Sequence, residues 1–521
     1  MIASKIRSSV IRAAVAATAC ALALAGCSSS SPGAKGTSGA ASSAAPTAGG
    51  TLHVVRAESF DGWDPDASSA YSSYQTVYAV LEPLVRFGSD GRSLEPGIAT
   101  KWSYDKAATS WTFTLRDDVT FSDGAPLTSA DVAFSAKVWA DGPNFGSLYA
   151  GIKAVKTPNP TTVVFEMATP NTSLPVLMSW SSSAVYPKDF GGRTAKDFYA
   201  KPLGAGAFIV TDWSPGGRIT MARNPTYYQK GRPYLDGIEI DVVSDASERA
   251  VLLQAGQADI SEYVPAATAQ QYSQTLRALP ASQVEHLSLN TTRAPFDDPA
   301  VRAAVARAVN TKAIVASAFR GYGTEPAGIL PPNLANYAAP SAALPTHDVA
   351  AAKAALAGSK HPAPAPVELI YDSGQSTDEL VAQVVQANLK EVGIEVRLSG
   401  LETGAFLDRA FALDADMVVW SYGAISPDMV DPIGWASGTG WLFTGHDPDG
   451  LAQQYSDYTA AIDDAGREAV VRAVQDEAVT AANAIPLAHF QVLHAAGTNV
   501  SGFESAPWGL YYWDTVWLSG S

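Results

Sequence analysis

The hydrophobic pattern switches between two periods along the chain. Trp111-Thr-Phe113-Thr-Leu115-Arg alternates apolar and polar residues, which predicts a half-buried strand. Shorter β-like runs occur at 51–55, 162–167, 208–210, 218–222 and 238–243. Helical spacing appears at 71–84, which is rich in Tyr and Val, and at 246–255, which Gly256 ends. Thr128, with Asp131 three positions on, predicts a helix start, and Val132, Ala136 and Trp139 follow at i, i+4, i+7. Asp298-Pro299 predicts another, because Asp suits the cap and Pro the first helical position; Val301, Val305, Ala308 and Val309 then form its inner face. In the second half, 367–371 reads as a strand, Thr377 caps a helix to Val392, Gly393 stops it, and 394–398 is the next strand. Short connections between them predict a parallel strand–helix–strand unit. A buried strand at 416–420 leads into a loop with Tyr422, Pro427 and Asp431-Pro432, and a helix-rich stretch covers 451–484. The chain is therefore expected to be mixed α/β.

The first fifty residues break this pattern. Lys5, Arg7 and Arg12 precede an apolar run from Ala13 to Gly26, too short and too alanine-rich for a membrane span but suited to a signal-peptide core. It ends in Leu24-Ala25-Gly26-Cys27, which resembles the bacterial lipobox, in which the Cys thiol is lipidated and becomes the new N-terminus. A plain secretory signal with an incidental Cys27 is the alternative. Residues 28–50 are almost wholly Ser, Ala, Gly, Thr and Pro and are expected to act as a flexible tether. Cleavage after Gly26 would remove three basic residues, taking the net charge from −16 to −19, and would remove one of the two cysteines.

Composition narrows the function. With 12 Trp, 20 Tyr and 17 Phe in 521 residues, most of the chain is no disordered polymer. The acidic balance argues against a nucleic-acid partner. There is no Gly-x-Ser-x-Gly elbow, no phosphate loop and no dinucleotide fingerprint. The seven histidines show no metal-ligand spacing, and no cofactor is expected. Asp447-Pro-Asp449-Gly450 reads as a turn rather than a calcium loop. What stands out is a set of aromatics beside Gly/Pro/Ser-rich stretches: Phe145, Tyr149, Trp420, Tyr422, Trp435, Trp441 and Phe443. They line a ligand cleft or plug a core between domains; the 420–443 group points to the cleft.

Ordered motifs then carry a resemblance. Leu81-Glu-Pro-Leu84, Leu94-Glu-Pro-Gly-Ile98-Ala-Thr-Lys-Trp102, Trp111 to Arg116 with Phe121-Ser-Asp-Gly124 and Leu127 to Val132, Pro202 to Phe208, Arg223-Asn224-Pro225 to Tyr228, Ala255-Gly256-Gln257-Ala258-Asp259, and Asn290 with Pro295 to Arg302 occur in the order found in one family. Over nearly all of 50–521 the chain resembles the substrate-binding lipoproteins of bacterial ABC importers, in the dipeptide-, oligopeptide- and nickel-binding group (solute-binding protein family 5). The resemblance implies a two-lobed, class II periplasmic-binding-protein-like fold with an additional inserted small lobe. The expected boundaries are 1–26 signal peptide, 27–50 tether, 51–85 with 201–286 and 489–521 as domain I, 86–200 as the inserted domain II, and 287–488 as domain III. The chain would cross between the main domains near 286 and 489, and the solute would be buried between them by hinge closure.

The implied protein is no enzyme. It is a monomeric, extracytoplasmic receptor held to the membrane only by the lipid on Cys27, and it delivers a peptide or similar small organic solute to permease subunits with their own ATPase. An exported glycan hydrolase and a surface sensor or adhesin of the same fold are the alternatives. Glu58, Tyr149, Trp420, Ser421, Tyr422 and Gly423 are the expected cleft residues: aromatics packing on the solute, Glu58 meeting a cation, and backbone groups at 421–425 bonding it. A solvated charge at Glu58, a core Trp420 and a tight turn at Gly423 are the bland readings. One departure matters: peptide-binding relatives carry Trp-x-x-Asp, whose Asp pairs with the α-ammonium, whereas this chain has Trp420-Ser421-Tyr422-Gly423. Either Asp428 or Glu58 substitutes, or the solute lacks a free α-amino group.

Overall fold

The computed structural model describes residues 45–520 except 61, 67–70, 89, 91–92, 273–274, 280–282, 425, 439–442, 447–450 and 504–509. The expected signal peptide, Cys27 and most of the expected tether lie outside the described residues, as do Trp441 and Asp447 to Gly450. Two larger sheets organise the rest. The seven-stranded sheet has the spatial order Leu276–Ala278, Leu493–Ala496, Ile260–Ser261, Thr51–Arg56, Gly237–Val242, Ile219–Arg223, Phe208–Trp213. Thr51–Arg56 runs parallel to both of its neighbours, and the outer pairs are antiparallel. The six-stranded sheet has the order Gly323–Thr324, Ala484–Phe490, Gln283–Leu289, Met417–Gly423, Val367–Asp372, Val396–Leu401. A four-stranded antiparallel sheet holds Ala99–Tyr104, Ser110–Leu115, Thr162–Met167 and Ile152–Asn159.

Local chemistry accounts for the elements. Trp111, Phe113 and Leu115 are the buried set of their strand, as period two requires. The Thr128 backbone N–H donates to Asp131 Oδ2 (2.7 Å) at the start of the helix Ser129–Ala140. Asp298 accepts from the Ala300 N–H (2.9 Å) and starts Pro299–Ala308. The 367–401 segment forms the expected parallel unit, with the helix Ser376–Glu391 between its strands. Its second strand starts at Val396 rather than 394, because the Ile394 N–H turns back to the Leu389 carbonyl (2.9 Å) after Gly393 takes a positive φ. The first helix stops at Val80, ahead of Pro83, where the Val80 carbonyl accepts from the Gly206 N–H (2.9 Å). The body also takes in the end of the tether, since Thr47, Gly49 and Gly50 bond to Leu518, Tyr234 and Asp236.

The chain passes from the seven-stranded sheet to the six-stranded one between Ala278 and Gln283, and returns between Phe490 and Leu493. The C-terminal tail is pinned to the first sheet's side by a buried cation. Arg86 bonds Glu82 (2.8 Å), the Tyr227 hydroxyl (2.7 Å) and Asp514 (2.9 Å), and lies over the Tyr512 ring. The two faces of the six-stranded sheet differ. One buries Leu287, Leu289, Leu369, Met417, Val419 and Leu487 against helix residues such as Val305, Val381 and Leu389. The other presents Val418, Trp420 and Tyr422 to the core shared with the rest of the molecule.

Candidate functional site

Strand register fixes where the expected residues lie. In the strand Met417–Gly423, pairing with Val367–Asp372 involves only Met417 and Val418, while pairing with Gln283–Leu289 continues to Gly423. Ladder pairing on the outer edge therefore stops at Val418, while the inner edge pairs on to Gly423. Alternation sends Trp420 and Tyr422 to one face and Ser421 to the other. Trp420 is 7% exposed; its Nε1–H donates to Ser288 Oγ (2.9 Å), it stacks on His286 (5.3 Å) and meets Phe443 edge-on (4.7 Å). Tyr422 is buried opposite Val284. Ser421 is exposed, and Gly423 is half-buried beside the Gln283 side chain. His286 touches the Ile329 carbonyl oxygen through Nε2 (2.9 Å), and burial pushes it down to about 4, so its ring is neutral at pH 7.

The facing part of the first sheet is charged. Arg56 ends its strand and pairs with Glu262 at 2.8 Å, both side chains fully buried, while Arg56 Nη1–H donates to Thr76 Oγ1 (2.9 Å). Burial pushes the Glu262 carboxyl up to about 7; the Arg56 charge pulls it down and the nearby Glu58 charge pushes it further up. Glu58 is half-buried just beyond the strand. His494, from the strand Leu493–Ala496, is pushed down to about 3 by burial and by Arg56.

Other expected residues sit apart. Tyr149 is 1% exposed, its hydroxyl 2.7 Å from Ser182 Oγ and its ring on Trp139, within the packing of the helix Ser129–Ala140. Phe145 packs on Tyr74. Asp428 is already engaged: it accepts from the Tyr458 hydroxyl (2.7 Å) and the Val430 N–H (2.8 Å), with Arg467 at 3.7 Å. Burial raises its carboxyl all the same. Asp428 is thus no free counter-charge for an amine. Arg467 also donates to Thr172 Oγ1 (2.6 Å), and the Thr172 N–H donates to the Thr459 carbonyl (2.7 Å), tying the segment after the four-stranded sheet to the helices at 451–481. Among the described residues no group of three or more His, Cys, Asp or Glu is arranged to hold a metal.

Sequence reasoning overlooked Arg56, Glu262 and Glu285. The signal was available for two of them. Arg56 continues the buried series Leu52, Val54, and Glu285 is in phase with Leu287 and Leu289. A charge in step with a buried apolar series marks an interior carboxylate or guanidinium, which needs a reason to be there.

Register places both groups at one end of the molecule. Gly423 pairs with Gln283 at the outgoing crossing, and the Val264 N–H, two residues past Glu262, donates to Leu493 at the returning one. Parallel strands thus end in both sheets beside the two crossings, where open α/β sheets bind ligands. This arrangement defines a two-lobed binding protein of the periplasmic type. The model for bacterial extracellular solute-binding proteins, family 5, matches residues 93–442, and the chain belongs to that family. The family is one of binding proteins rather than enzymes. The glutathione-binding protein GsiB of Salmonella typhi is 29% identical over 314 residues, 59% of this chain and 61% of that protein. The chain thus aligns with about three fifths of the length of the curated relatives it matches first. The PBP AgaA of A. tumefaciens R10, in complex with agropinic acid, is similar with a TM-score of 0.80 and 27% identity, over 91% of this chain and 99% of that one. DppA of Helicobacter pylori, in complex with the peptide STSA, shares the fold with a TM-score of 0.81 at 21% identity, over 91% and 98% of the two chains. Among the described residues no helix is long and apolar enough to cross a membrane.

Proposed function

We propose that this chain is the lipid-anchored, extracytoplasmic solute receptor of an ABC importer, closing two lobes on a small organic solute and presenting it to permease subunits driven by a separate ATPase. The observation that carries this reading is the strand end from Val419 to Gly423, where ladder pairing continues on one side only and Ser421 is exposed, at the end where both crossings lie. An extended solute can bond that edge as an added strand would. Trp420 and Tyr422 set the wall behind it, Glu58 faces it from the first lobe, and Tyr149 stiffens the packing further out. Residues 86–200 are read as the inserted lobe, and the main lobes divide at the two crossings rather than at 286 and 489, which sets 51–85, 201–278 and 493–521 opposite 283–490. The lipid on Cys27 is the membrane attachment, and the receptor works as a monomer.

The solute class is drawn more widely than free peptides. Gly423 replaces the expected Asp, and Asp428 is taken by Tyr458 and Arg467. A relative that binds agropinic acid makes amino-acid conjugates a natural second class beside peptides. The test is a thermal-shift screen of the mature body against peptides, amino-acid–sugar conjugates, oligosaccharides and metal chelates. A solute at about 100 times its Kd adds about 2.7 kcal/mol of stability and raises Tm. Failure of every class to shift Tm, with cleavage of a glycan, would refute the receptor reading. Metabolic labelling with a fatty acid, abolished in Cys27→Ser, tests the anchor.

A further inference from the structure

Glu285 is 1% exposed in the middle of the six-stranded sheet, and neither carboxylate oxygen has a hydrogen-bond partner among the described residues. Its neighbours across the sheet are Ser421 and Ala488, so its side chain shares a face with Ser421, the exposed residue near the strand's end. The helix Ser376–Glu391 covers that face and contributes Asp378 from its first turn, 5% exposed. Glu285 and Asp378 feel each other's charge, and Asp372, at the end of the strand Val367–Asp372, adds a third. Asp372 is satisfied: it accepts from the Gly374 N–H (2.8 Å) and the Thr403 hydroxyl (3.0 Å). Glu285 is not, whereas Asp378 keeps slight solvent access. Among the described residues no Lys, Arg or His pairs with either.

Two buried carboxyls without a cation are costly to keep, and the packing on this face does not require them. We propose that Glu285 and Asp378 form a cation subsite of the cleft, entered beside Ser421, that takes an ammonium or guanidinium group of the solute. The proposal rests on the receptor reading above. It supplies, from the neighbouring strand and helix, the negative charge that Gly423 does not. The subsite suits an organic cation, since the described acidic groups do not form a metal site. Burial pushes the Glu285 carboxyl up to about 8, so the empty pair holds a proton at neutral pH. A bound cation displaces that proton to bulk water.

The experiment uses size-matched probes that differ in side-chain charge, on the full mature protein: lysyl against norleucyl dipeptides, and sugar conjugates of arginine against those of citrulline. Calorimetry in phosphate and in Tris reads affinity and proton release together. The expected result is about ten- to hundredfold tighter binding of the cationic member, with about one proton released per site. Both effects should vanish in Glu285→Gln and in Asp378→Asn. The proton count is measured on the unsubstituted protein, so the test survives a variant that fails to fold. Equal binding of charged and uncharged members, without proton release, overturns the subsite and leaves the receptor reading intact. Binding of no probe, together with a blank solute screen, overturns both.

Discussion

Replacing Glu262 with Gln should make the protein more stable at pH 8, against the usual rule for buried ion pairs. Removing one partner of such a pair ordinarily costs about 3–5 kcal/mol, because the other charge is stranded. Here the balance differs. The carboxyl is pushed up to about 7 although the Arg56 guanidinium is 2.8 Å away, so desolvation and Glu58 together outweigh Arg56. The folded state therefore holds the Glu262 proton more tightly than the unfolded chain, whose carboxyl titrates near 4.5. The stability this contributes is fully present below pH 4.5 and is lost as pH rises through 7. Each pH unit of that window is worth about 1.4 kcal/mol, so the loss is about 3 kcal/mol. Gln mimics the protonated acid and has no such loss. Urea unfolding at pH 5, 6, 7 and 8 should show variant and parent nearly equal at pH 5 and the variant ahead by about 3 kcal/mol at pH 8. Buried His286, His489 and His494, pushed down to about 4, 4 and 3, work in the opposite sense below pH 6.5, but equally in both proteins, so the difference isolates Glu262. A variant less stable at pH 8 by several kcal/mol, with a difference flat in pH, would refute the reasoning and show that Arg56 dominates.

Three further outcomes follow from the contacts. Trp420→Ala should cost about 3–5 kcal/mol in denaturant unfolding, as for a core aromatic, whereas Trp420→Phe should cost about 1 kcal/mol for the lost bond to Ser288. Asp428→Ala strands the Tyr458 hydroxyl and the Arg467 guanidinium and should lower stability by about 1–3 kcal/mol, read as a lower Tm. Gly423→Asp should raise affinity for free-amino peptides about tenfold or more, with the flexible Gln283 side chain giving way; unchanged affinity by calorimetry would count against Gly423 as the site of the missing charge.

Local signals in the chain were legible because they act over a few residues. The alternation at 111–115, the Thr128 and Asp298 helix starts and the parallel unit at 367–401 all follow from spacing and capping chemistry. The motifs between Leu81 and Arg302 carried the family. What spacing could not give was partnership across the sequence. Arg56 meets Glu262, and Arg86 meets Asp514, only because strand order and the returning tail bring them together. Even the Ile394 offset depends on a backbone bond closing after Gly393, which no hydrophobic period encodes. Sequence pattern marks a buried strand at 416–420, yet the strand extends to Gly423, and only its neighbours show that pairing with Val367–Asp372 stops at Val418.

Charge arithmetic ties the two halves of the proposed cleft together. On the first lobe, Glu262 faces the Arg56 guanidinium and feels the charge of Glu58. On the second, Glu285 and Asp378 face no cation among the described residues. Both lobes thus bring buried carboxyl groups toward the end where the crossings lie, and burial disfavours the charges of Glu262, Glu285 and Asp378. Two things can neutralise them: protons, or a cationic solute. Protons suffice for the empty receptor, which is why Glu262 and Glu285 titrate high. A cation does better, since it neutralises charge and fills space at once. On this reading the solute's positive group is the counter-charge for these carboxyls, and because each proton it replaces must first leave, binding tightens as pH rises.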